Sequence, residues 1–202
     1  MLPSMIAIAL AALVLAPQTK SYVKPYNPTG PVIVTTMESG KSFEITTDPA
    51  NSPKTVAHIL GLVRSHFYHK QRIHRVEFWV TQWGAPASKN KPMMVKGKDG
   101  KMQVNDAVGD GGSGHDIPAF EMAKDVDYLR GVVGIASEGL QLPGDSQLFI
   151  LKKDATRLYI SYAVVGKVTK GMDVVDAIKF GDRIRTMRVK SAMTMRHRRG
   201  GN

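Results

Sequence analysis

Short runs in which apolar and polar residues alternate recur along the chain between residues 32 and 189. Val32–Thr36 and Ser42–Thr47 flank a turn that contains Gly40, and this arrangement predicts a β-hairpin. Further strands are predicted where β-branched and aromatic residues cluster between Gly and Pro positions. They are Arg72–Val76, Trp79–Trp83, Gly131–Ala136, Gln147–Leu151, Ala163–Val168 and Arg183–Val189.

Two segments show helical spacing instead. Ser52 and Pro53 are typical of an N-cap and a first helical residue, and apolar residues follow at i, i+3, i+4 and i+7 up to Val63. This helix should end near Ser65, and a second, shorter helix is predicted after Gly171. Many short strands with two helices favour a mainly β fold, a closed barrel or sandwich capped by the helices, over a βαβ repeat.

The N-terminal segment, residues 1–16, contains an unbroken apolar run from Met5 to Ala16. A membrane span needs about 20 apolar residues, so this shorter run fits a signal peptide better. The alternative is a retained hydrophobic strand or helix. Residues 17–31 are rich in proline and predict an extended linker. We therefore expect an exported protein, periplasmic or otherwise extracytoplasmic, or a cytoplasmic one if the segment is not a signal.

The positive charge is concentrated in two segments. The chain has 202 residues and a net charge of +11; residues 89–105 contribute +4 and residues 179–202 contribute +7, so the rest is neutral. Residues 88–108 lack periodicity and predict a basic surface loop, and residues 191–202 predict a basic, disordered tail. This distribution weakens a specific nucleic-acid role, but it allows electrostatic contact with anionic surfaces through the loop and tail. The chain has no cysteine, which excludes disulfides and thiol catalysis.

Several motifs carry a resemblance to a known family. They are Ser52-Pro53-Lys54-Thr55-Val56, Ile73-His74-Arg75-Val76, Thr81-Gln82-Trp83-Gly84, the glycine-rich stretch Gly109–Gly114, Arg130-Gly131-Val132-Val133, Ser146-Gln147-Leu148-Phe149-Ile150 and Gly171-Met172-Asp173-Val174-Val175. In this order and spacing they resemble cyclophilin-type peptidyl-prolyl cis–trans isomerases. The resemblance implies a closed eight-stranded antiparallel β-barrel capped by two α-helices, over residues 32–190.

The resemblance also implies a chemistry. Rotation about an Xaa–Pro bond has a barrier of about 18–20 kcal/mol, and its transition state has a pyramidal, basic proline nitrogen. A cation that donates a hydrogen bond to this nitrogen stabilises the transition state selectively. Arg75 occupies the position of the family's catalytic arginine, and Gln82 that of the glutamine that steadies it and binds substrate backbone. We expect no cofactor and no metal in this reaction.

The same resemblance assigns a substrate groove for proline-containing unfolded or flexible protein segments. Its residues are Phe149 as the pocket floor, Leu158 and Tyr162 as walls, Trp79 and Val80 beside the catalytic pair, and Ala136 and Ser137 on the edge that pairs with the peptide.

Departures from the family pattern leave alternatives open. The segment from Arg75 to Gln82 is one residue shorter than in the family, so either Phe78 or Trp79 could take the aromatic position of the groove. Arg157 stands where many members have an indole that contacts cyclosporin. A proline-peptide binding module or chaperone with little turnover is therefore the alternative to an active isomerase. His66, His69 and His74 are expected to be solvated or hydrogen-bonded histidines rather than metal ligands.

Overall fold

The computed structural model describes residues 25–191. The predicted signal segment, the first part of the predicted linker and nearly all of the predicted tail lie outside the described residues. The strands are β1 (Val32–Met37), β2 (Ser42–Thr47), β3 (Arg75–Val76), β4 (Val80–Trp83), β5 (Met94–Lys96), β6 (Met102–Val104), β7 (Val132–Ile135), β8 (Leu148–Leu151), β9 (Val164–Lys170) and β10 (Ile184–Val189). The helices are α1 (Pro53–Arg64) and α2 (Met172–Asp176).

Eight of these strands form one antiparallel sheet in the order β10-β1-β2-β9-β7-β8-β4-β3. The predicted mainly β fold with eight strands and two helices is confirmed, but the predicted closure of the barrel is wrong. The sheet is an open half-barrel, because β3 has only two residues and pairs with β4 alone. On the other side, the segment just before β3 approaches the start of β10 but forms only one isolated β-bridge with it, between Arg72 and Arg183, and no continuous strand pairing.

The inner face of the sheet follows the alternation of the sequence. In β1, Ile33, Thr35 and Met37 are buried while the residues between them are partly exposed. The apolar stripe of α1, which includes Val56 and Ile59, is buried against the sheet, where the helix contacts β9 and β10. Burial of one apolar face, rather than helix propensity, holds this helix in place.

A second apolar cluster lies beneath the strands that carry the predicted groove. It contains Val80, Tyr128, Phe149, Leu151 and Val164, all almost fully buried. The Tyr128 hydroxyl donates a hydrogen bond to the backbone carbonyl of Tyr162. This cluster gives the groove a rigid, close-packed base.

Residues 88–108 were expected to form a loop, but they contain a small hairpin. Strands β5 and β6 pair in antiparallel fashion, with Met94 opposite Val104 and Lys96 opposite Met102. The hairpin is anchored at its base, where the Arg72 side chain donates to the backbone carbonyl of Ser88. The lack of periodicity in the sequence reflects strands of three residues, which are too short to show alternation.

The described end of the predicted linker packs on the domain. The Tyr26 hydroxyl donates to Asp48 at 2.9 Å, Tyr26 contacts the second apolar cluster, and the Gly30 amide donates to the carbonyl of Thr47 at 2.9 Å. The packed chain therefore begins before β1. Within residues 25–191, no helix has the length and apolar character needed to cross a membrane.

Candidate active site

Arg75 and Gln82 face each other across the pair β3–β4. They are direct partners in the antiparallel register, and the Arg75 guanidinium donates from Nη1 to Gln82 Oε1 at 3.3 Å. The shortened segment after Arg75 makes a tight turn, in which the Glu77 amide donates to the carbonyl of Val80 at 2.8 Å. Strand pairing therefore fixes the distance between the two predicted catalytic side chains.

Glu77 connects the arginine to the tryptophan of the same turn. Its Oε1 accepts from Arg75 Nε at 2.7 Å and lies 2.6 Å from Arg75 Nη2, while its Oε2 accepts from Trp79 Nε1 at 2.8 Å. The Arg75 hydrogen bond is the main reason why the pKa of Glu77 is lowered, and the Trp79 hydrogen bond and the charge of Arg157 act in the same direction. Glu77 is therefore ionised at neutral pH.

Trp79, rather than Phe78, belongs to the groove. The Arg157 guanidinium lies 4.4 Å from the centre of the Trp79 ring and that of Arg75 lies 5.6 Å from it, both within the range of cation–π contact. Phe78, in the turn between β3 and β4, is 81% exposed. The structure thus resolves the alternative that the sequence left open.

All nine predicted site residues line one cavity of about 230 Å³. They are Arg75, Trp79, Val80, Gln82, Ala136, Ser137, Phe149, Leu158 and Tyr162. They come from β3, the turn after it, β4 and β8, from the chain after β7, and from the turn and loop before β9. A cavity lined by aromatic and aliphatic side chains, with a guanidinium and an amide at one rim, can hold a small apolar ring beside a hydrogen-bond donor.

The base of the cavity is aromatic. The rings of Phe149 and Tyr162 meet edge to face, with centroids 5.5 Å apart. Gly134 lies directly under the Phe149 ring, where a Cβ atom would come within 2.3 Å of Phe149 Cζ. Phe149 keeps its position because residue 134 has no side chain.

The edge of the cavity is formed by Ala136 and Ser137. The Ala136 amide donates to the carbonyl of Gln147 at 2.7 Å, which continues the sheet beyond β7. The Ser137 hydroxyl donates a hydrogen bond to the carbonyl of Gly139 at 2.6 Å, so its proton is used within the local turn.

The comparison of the sequence with known families identifies the group to which the chain belongs. Residues 32–199 match the family described as "Cyclophilin type peptidyl-prolyl cis-trans isomerase/CLD". This chain belongs to the cyclophilin-type peptidyl-prolyl cis–trans isomerase family. The match spans the whole sheet and both helices, so it includes every residue of the cavity.

Bacterial relatives support the same assignment for this cyclophilin. A "Probable peptidyl-prolyl cis-trans isomerase" of Brucella abortus is 38% identical over 191 residues, which cover 92% of this chain and 90% of the relative. "Peptidyl-prolyl cis-trans isomerase B" of Bacillus subtilis is 27% identical over 155 residues, covering 76% of this chain and 94% of that protein.

Solved cyclophilin structures share the fold at low sequence identity. A cyclophilin-type isomerase of Cryptosporidium parvum superposes with a TM-score of 0.60 at 18% identity, covering 80% of this chain and 98% of that one. A cyclophilin from Hirschia baltica gives a TM-score of 0.56 at 18% identity, with coverage of 81% and 75%.

The groove of this cyclophilin continues into a second cavity of about 780 Å³. The two cavities share Gln82, Ala136 and Ser137. The charged residues that line the second one are all acidic: Asp110, Asp116, Glu138 and Asp145. Asp110 pairs with Lys91 at 3.2 Å, and Asp145 accepts from Ser113 and contacts His58 Nε2 at 3.3 Å.

Gln147 is a site residue that the sequence analysis did not single out. It accepts from Gln82 Nε2 at 2.9 Å and donates from its own Nε2 to the carbonyl of Gly109 at 2.8 Å. A chain of hydrogen bonds therefore runs from Arg75 through Gln82 and Gln147 to the glycine-rich loop. Gln147 lies inside the quoted motif Ser146–Ile150, but only the cross-strand register places it beside Gln82.

His74 lies behind the arginine of this cyclophilin as a neutral imidazole. Burial lowers the pKa of His74 to about 4; the charge of Arg75 acts in the same direction, and the side chain of Gln147 opposes it.

The other two histidines named in the sequence analysis lie just after the end of α1. His66 and His69 stack with ring centroids 4.4 Å apart, and His69 Nε2 contacts the carbonyl of Met187 at 3.1 Å. Across residues 25–191, no three potential ligand side chains converge as a metal site requires.

Proposed function

We propose that this cyclophilin accelerates Xaa–Pro bond rotation by hydrogen bonding from Arg75 to the proline nitrogen of the twisted peptide bond. In the planar ground state this nitrogen shares its lone pair with the carbonyl and accepts no hydrogen bond. As the bond rotates, the lone pair localises on the nitrogen. A donor that binds only this state lowers the barrier without tightening substrate binding.

The juxtaposition of Arg75 with the aromatic base of the cavity supports this mechanism. A proline ring seated on Phe149, between Leu158 and Tyr162, would have its nitrogen toward the rim where Arg75 lies. The Arg75 side chain is 45% exposed and lines the cavity, so its remaining donors are accessible from the groove.

Gln82 has two roles in this proposal. Its Oε1 accepts from Arg75 and restrains the guanidinium, while Gln147 holds its amide nitrogen. Both ends of the amide are therefore fixed before substrate arrives, and such preorganisation costs nothing at the moment of reaction. We expect the substrate backbone to lie along Ala136 and Ser137, beside this amide.

The experiment is an isomerisation assay on a short Xaa–Pro peptide with two variants of the cavity. Arg75→Ala should lower kcat/KM by about 100-fold or more, a loss of roughly 2.7 kcal/mol in transition-state stabilisation, with little change in peptide affinity. Phe149→Ala should lower both turnover and affinity, because it removes the floor of the pocket. Arg64→Ala, at the exposed end of α1, is the matched control and should behave as wild type.

The alternative of a proline-peptide binding module predicts different values. Wild-type protein would then bind the peptide without measurable turnover, and Arg75→Ala would bind as well as wild type. Equal turnover of Arg75→Ala and wild type would contradict the mechanism and leave only the fold and family in place.

A second proposal concerns attachment to anionic surfaces, and the β5–β6 hairpin favours it. Because Met94 pairs with Val104 and Lys96 with Met102, these four side chains share one face of the hairpin, and all four are exposed. Lys98 and Lys101 lie in or beside its turn. A face with three apolar side chains and one lysine, and two further lysines near the turn, suits an anionic lipid surface, where each lysine contributes about 1 kcal/mol.

The test of this second proposal is sedimentation with vesicles of phosphatidylcholine with and without phosphatidylglycerol. Lys96→Gln/Lys98→Gln/Lys101→Gln should lose binding to the anionic vesicles by about 100-fold at low salt, and the loss should shrink as salt screens the charges. A control with the same charge change, Lys41→Gln/Lys54→Gln/Lys124→Gln, should bind as wild type. Equal binding of the two triple variants would refute a role for the hairpin.

A further inference from the structure

The Glu77 carboxylate holds two side chains of the groove at once. One oxygen contacts both Nε and Nη2 of Arg75, at 2.7 and 2.6 Å, and the other accepts from the indole of Trp79 at 2.8 Å. Charge-assisted hydrogen bonds of this kind are about twice as strong as neutral ones. Glu77 does not line the cavity itself, but Arg75 and Trp79, which it contacts, do.

The charges around Trp79 explain why a carboxylate is needed here. Two guanidiniums, those of Arg75 and Arg157, approach the same indole ring, at 5.6 and 4.4 Å from its centre. Two like charges that share one ring repel each other, and a nearby anion offsets this repulsion. Glu77 supplies this anion on the side of Arg75.

The hydrogen bonds of Arg75 define which of its donors stay free. A guanidinium has five N–H groups in a fixed fork. Glu77 engages the edge formed by Nε and Nη2, and Gln82 engages Nη1. At least one N–H on each of Nη1 and Nη2 is therefore left for the substrate.

We propose that Glu77 is a positioning residue of the isomerase, which orients the guanidinium of Arg75 and the indole of Trp79 toward the groove. The inference rests on the proposed role of Arg75. With the carboxylate in place, the arginine is held in one orientation before substrate binds. Without it, a long exposed side chain samples many rotamers, and the transition state must order it.

This role gives the site a pH dependence at the acidic end. The groups that face Glu77 are Arg75 on β3, Arg157 on the turn at residues 156–158, and the indole of Trp79. Because Arg75 and its neighbours lower the pKa of Glu77, the carboxylate is lost only below the ordinary range of glutamate, about pH 4.

The first test observes the contact itself, without reference to activity. The protein has two tryptophans, and their indole N–H groups give separate signals in a nitrogen–proton correlation spectrum. The signal of Trp79 should shift as the pH is lowered from neutral to below the ordinary titration range of glutamate and Glu77 takes up its proton. Trp83, which is fully buried, should not follow this titration. In Glu77→Gln the step should disappear; a Trp79 signal that titrates equally in this variant would overturn the proposal.

The second test separates positioning from substrate binding. Glu77→Ala should lower kcat by about 10-fold while KM changes less than about threefold, because Phe149, Leu158 and Tyr162 remain in place. Glu77→Gln keeps the size and one acceptor but loses the charge, so its kcat should fall between those of Glu77→Ala and wild type. Glu38→Gln, in the exposed turn after β1, is the matched control and should retain wild-type kinetics.

The outcomes distinguish this inference from the proposal on which it rests. If Arg75→Ala loses activity while Glu77→Ala keeps wild-type kcat, the positioning role is wrong and the mechanism stands. If Arg75→Ala keeps full activity, the mechanism itself is wrong. Glu77 is exposed at the surface of a turn, so these variants should fold, and the spectrum of the first test reports this directly.

Discussion

Gly134 on β7 and Phe149 on β8 are cross-strand partners, and the glycine lies directly beneath the phenylalanine ring. A Cβ atom at residue 134 would come within 2.3 Å of Cζ and 2.7 Å of Cε1 of Phe149. The neighbouring strand β4 places Gln82 opposite Phe149 on the other side. The positions of Phe149 on the floor of the groove and of Gln82 at its rim therefore both follow from the register of the adjacent strands β7, β8 and β4.

Gly134→Ala should push the Phe149 ring into the cavity. We expect a loss of about 1–3 kcal/mol in the free energy of unfolding, as overpacking of a core causes, and a fall of roughly 10-fold in kcat/KM. Urea unfolding and the isomerisation assay measure the two effects. Gly61→Ala in α1, where a Cβ atom meets nothing within 4 Å, is the control and should stabilise the protein slightly. A Gly134→Ala variant with unchanged activity would show that the groove does not depend on the position of Phe149.

Cyclosporin should bind this cyclophilin weakly. Arg157, whose guanidinium stacks on Trp79, stands where the family resemblance places an indole, so an apolar contact is replaced by a hydrated charge. We expect a Kd well above the nanomolar range by calorimetric titration. Arg157→Trp should tighten binding by about 10-fold, and Arg157→Ala, which removes the charge without adding a ring, should not. Nanomolar binding by the wild type would contradict the alignment at this position.

His74 should make the protein less stable as the pH falls below neutral. Its pKa is about 4 in the folded state and about 6.5 in the unfolded chain, so the unfolded state binds more protons between these values. The free energy of unfolding should therefore decrease as the pH is lowered through this window, by up to about 3 kcal/mol. His74→Gln should remove most of this slope, and His115→Gln, at an exposed position, should keep it. Parallel slopes for wild type and His74→Gln would contradict the assignment.

The acidic second cavity should favour basic residues beside the proline. Asp116 and Glu138 line it and are exposed, and among residues 25–191 neither makes a contact like those of Asp110 with Lys91 and Asp145 with His58. In a peptide series with Lys, Gln or Glu next to the Xaa–Pro pair, we expect the highest kcat/KM for Lys and a smaller spread at high salt. Glu138→Gln should reduce the preference for Lys over Glu by about threefold, the scale of an exposed charge pair. The same ranking at all salt concentrations would indicate a steric rather than an electrostatic origin.

Much of the fold could be predicted because its signals are local. The hairpin β1–β2 follows from alternation around Gly40, and α1 follows from the Ser52–Pro53 start and its apolar stripe. Only the last two residues of the strand predicted at Arg72–Val76 form β3, and the hairpin β5–β6 was not predicted, because strands of two or three residues have no recognisable period. The open edge of the sheet also escaped prediction, since closure depends on whether two distant segments pair.

Some residues of the site could likewise be found from the sequence, and others could not. Arg75, Gln82 and Phe149 could be found because they lie in motifs whose order the sequence preserves, and the cavity brings them together with the other six predicted residues. Glu77, Gln147 and Gly134 escaped, because nothing in their local sequence indicates what they contact. The choice of Trp79 over Phe78 likewise required the tight turn after Arg75.

By itself, the sequence determined most strands of the sheet, the start of the first helix, the resemblance to the family and the nine residues that line the first cavity. Each of these depends on which residue types follow one another at short range. Only the tertiary structure decided that the sheet stays open, that Gly134 makes room for Phe149, and that the Glu77 carboxylate joins Arg75 to Trp79. These features depend on cross-strand register and on the path of a single turn, where a shift of one residue moves every side chain to the other face.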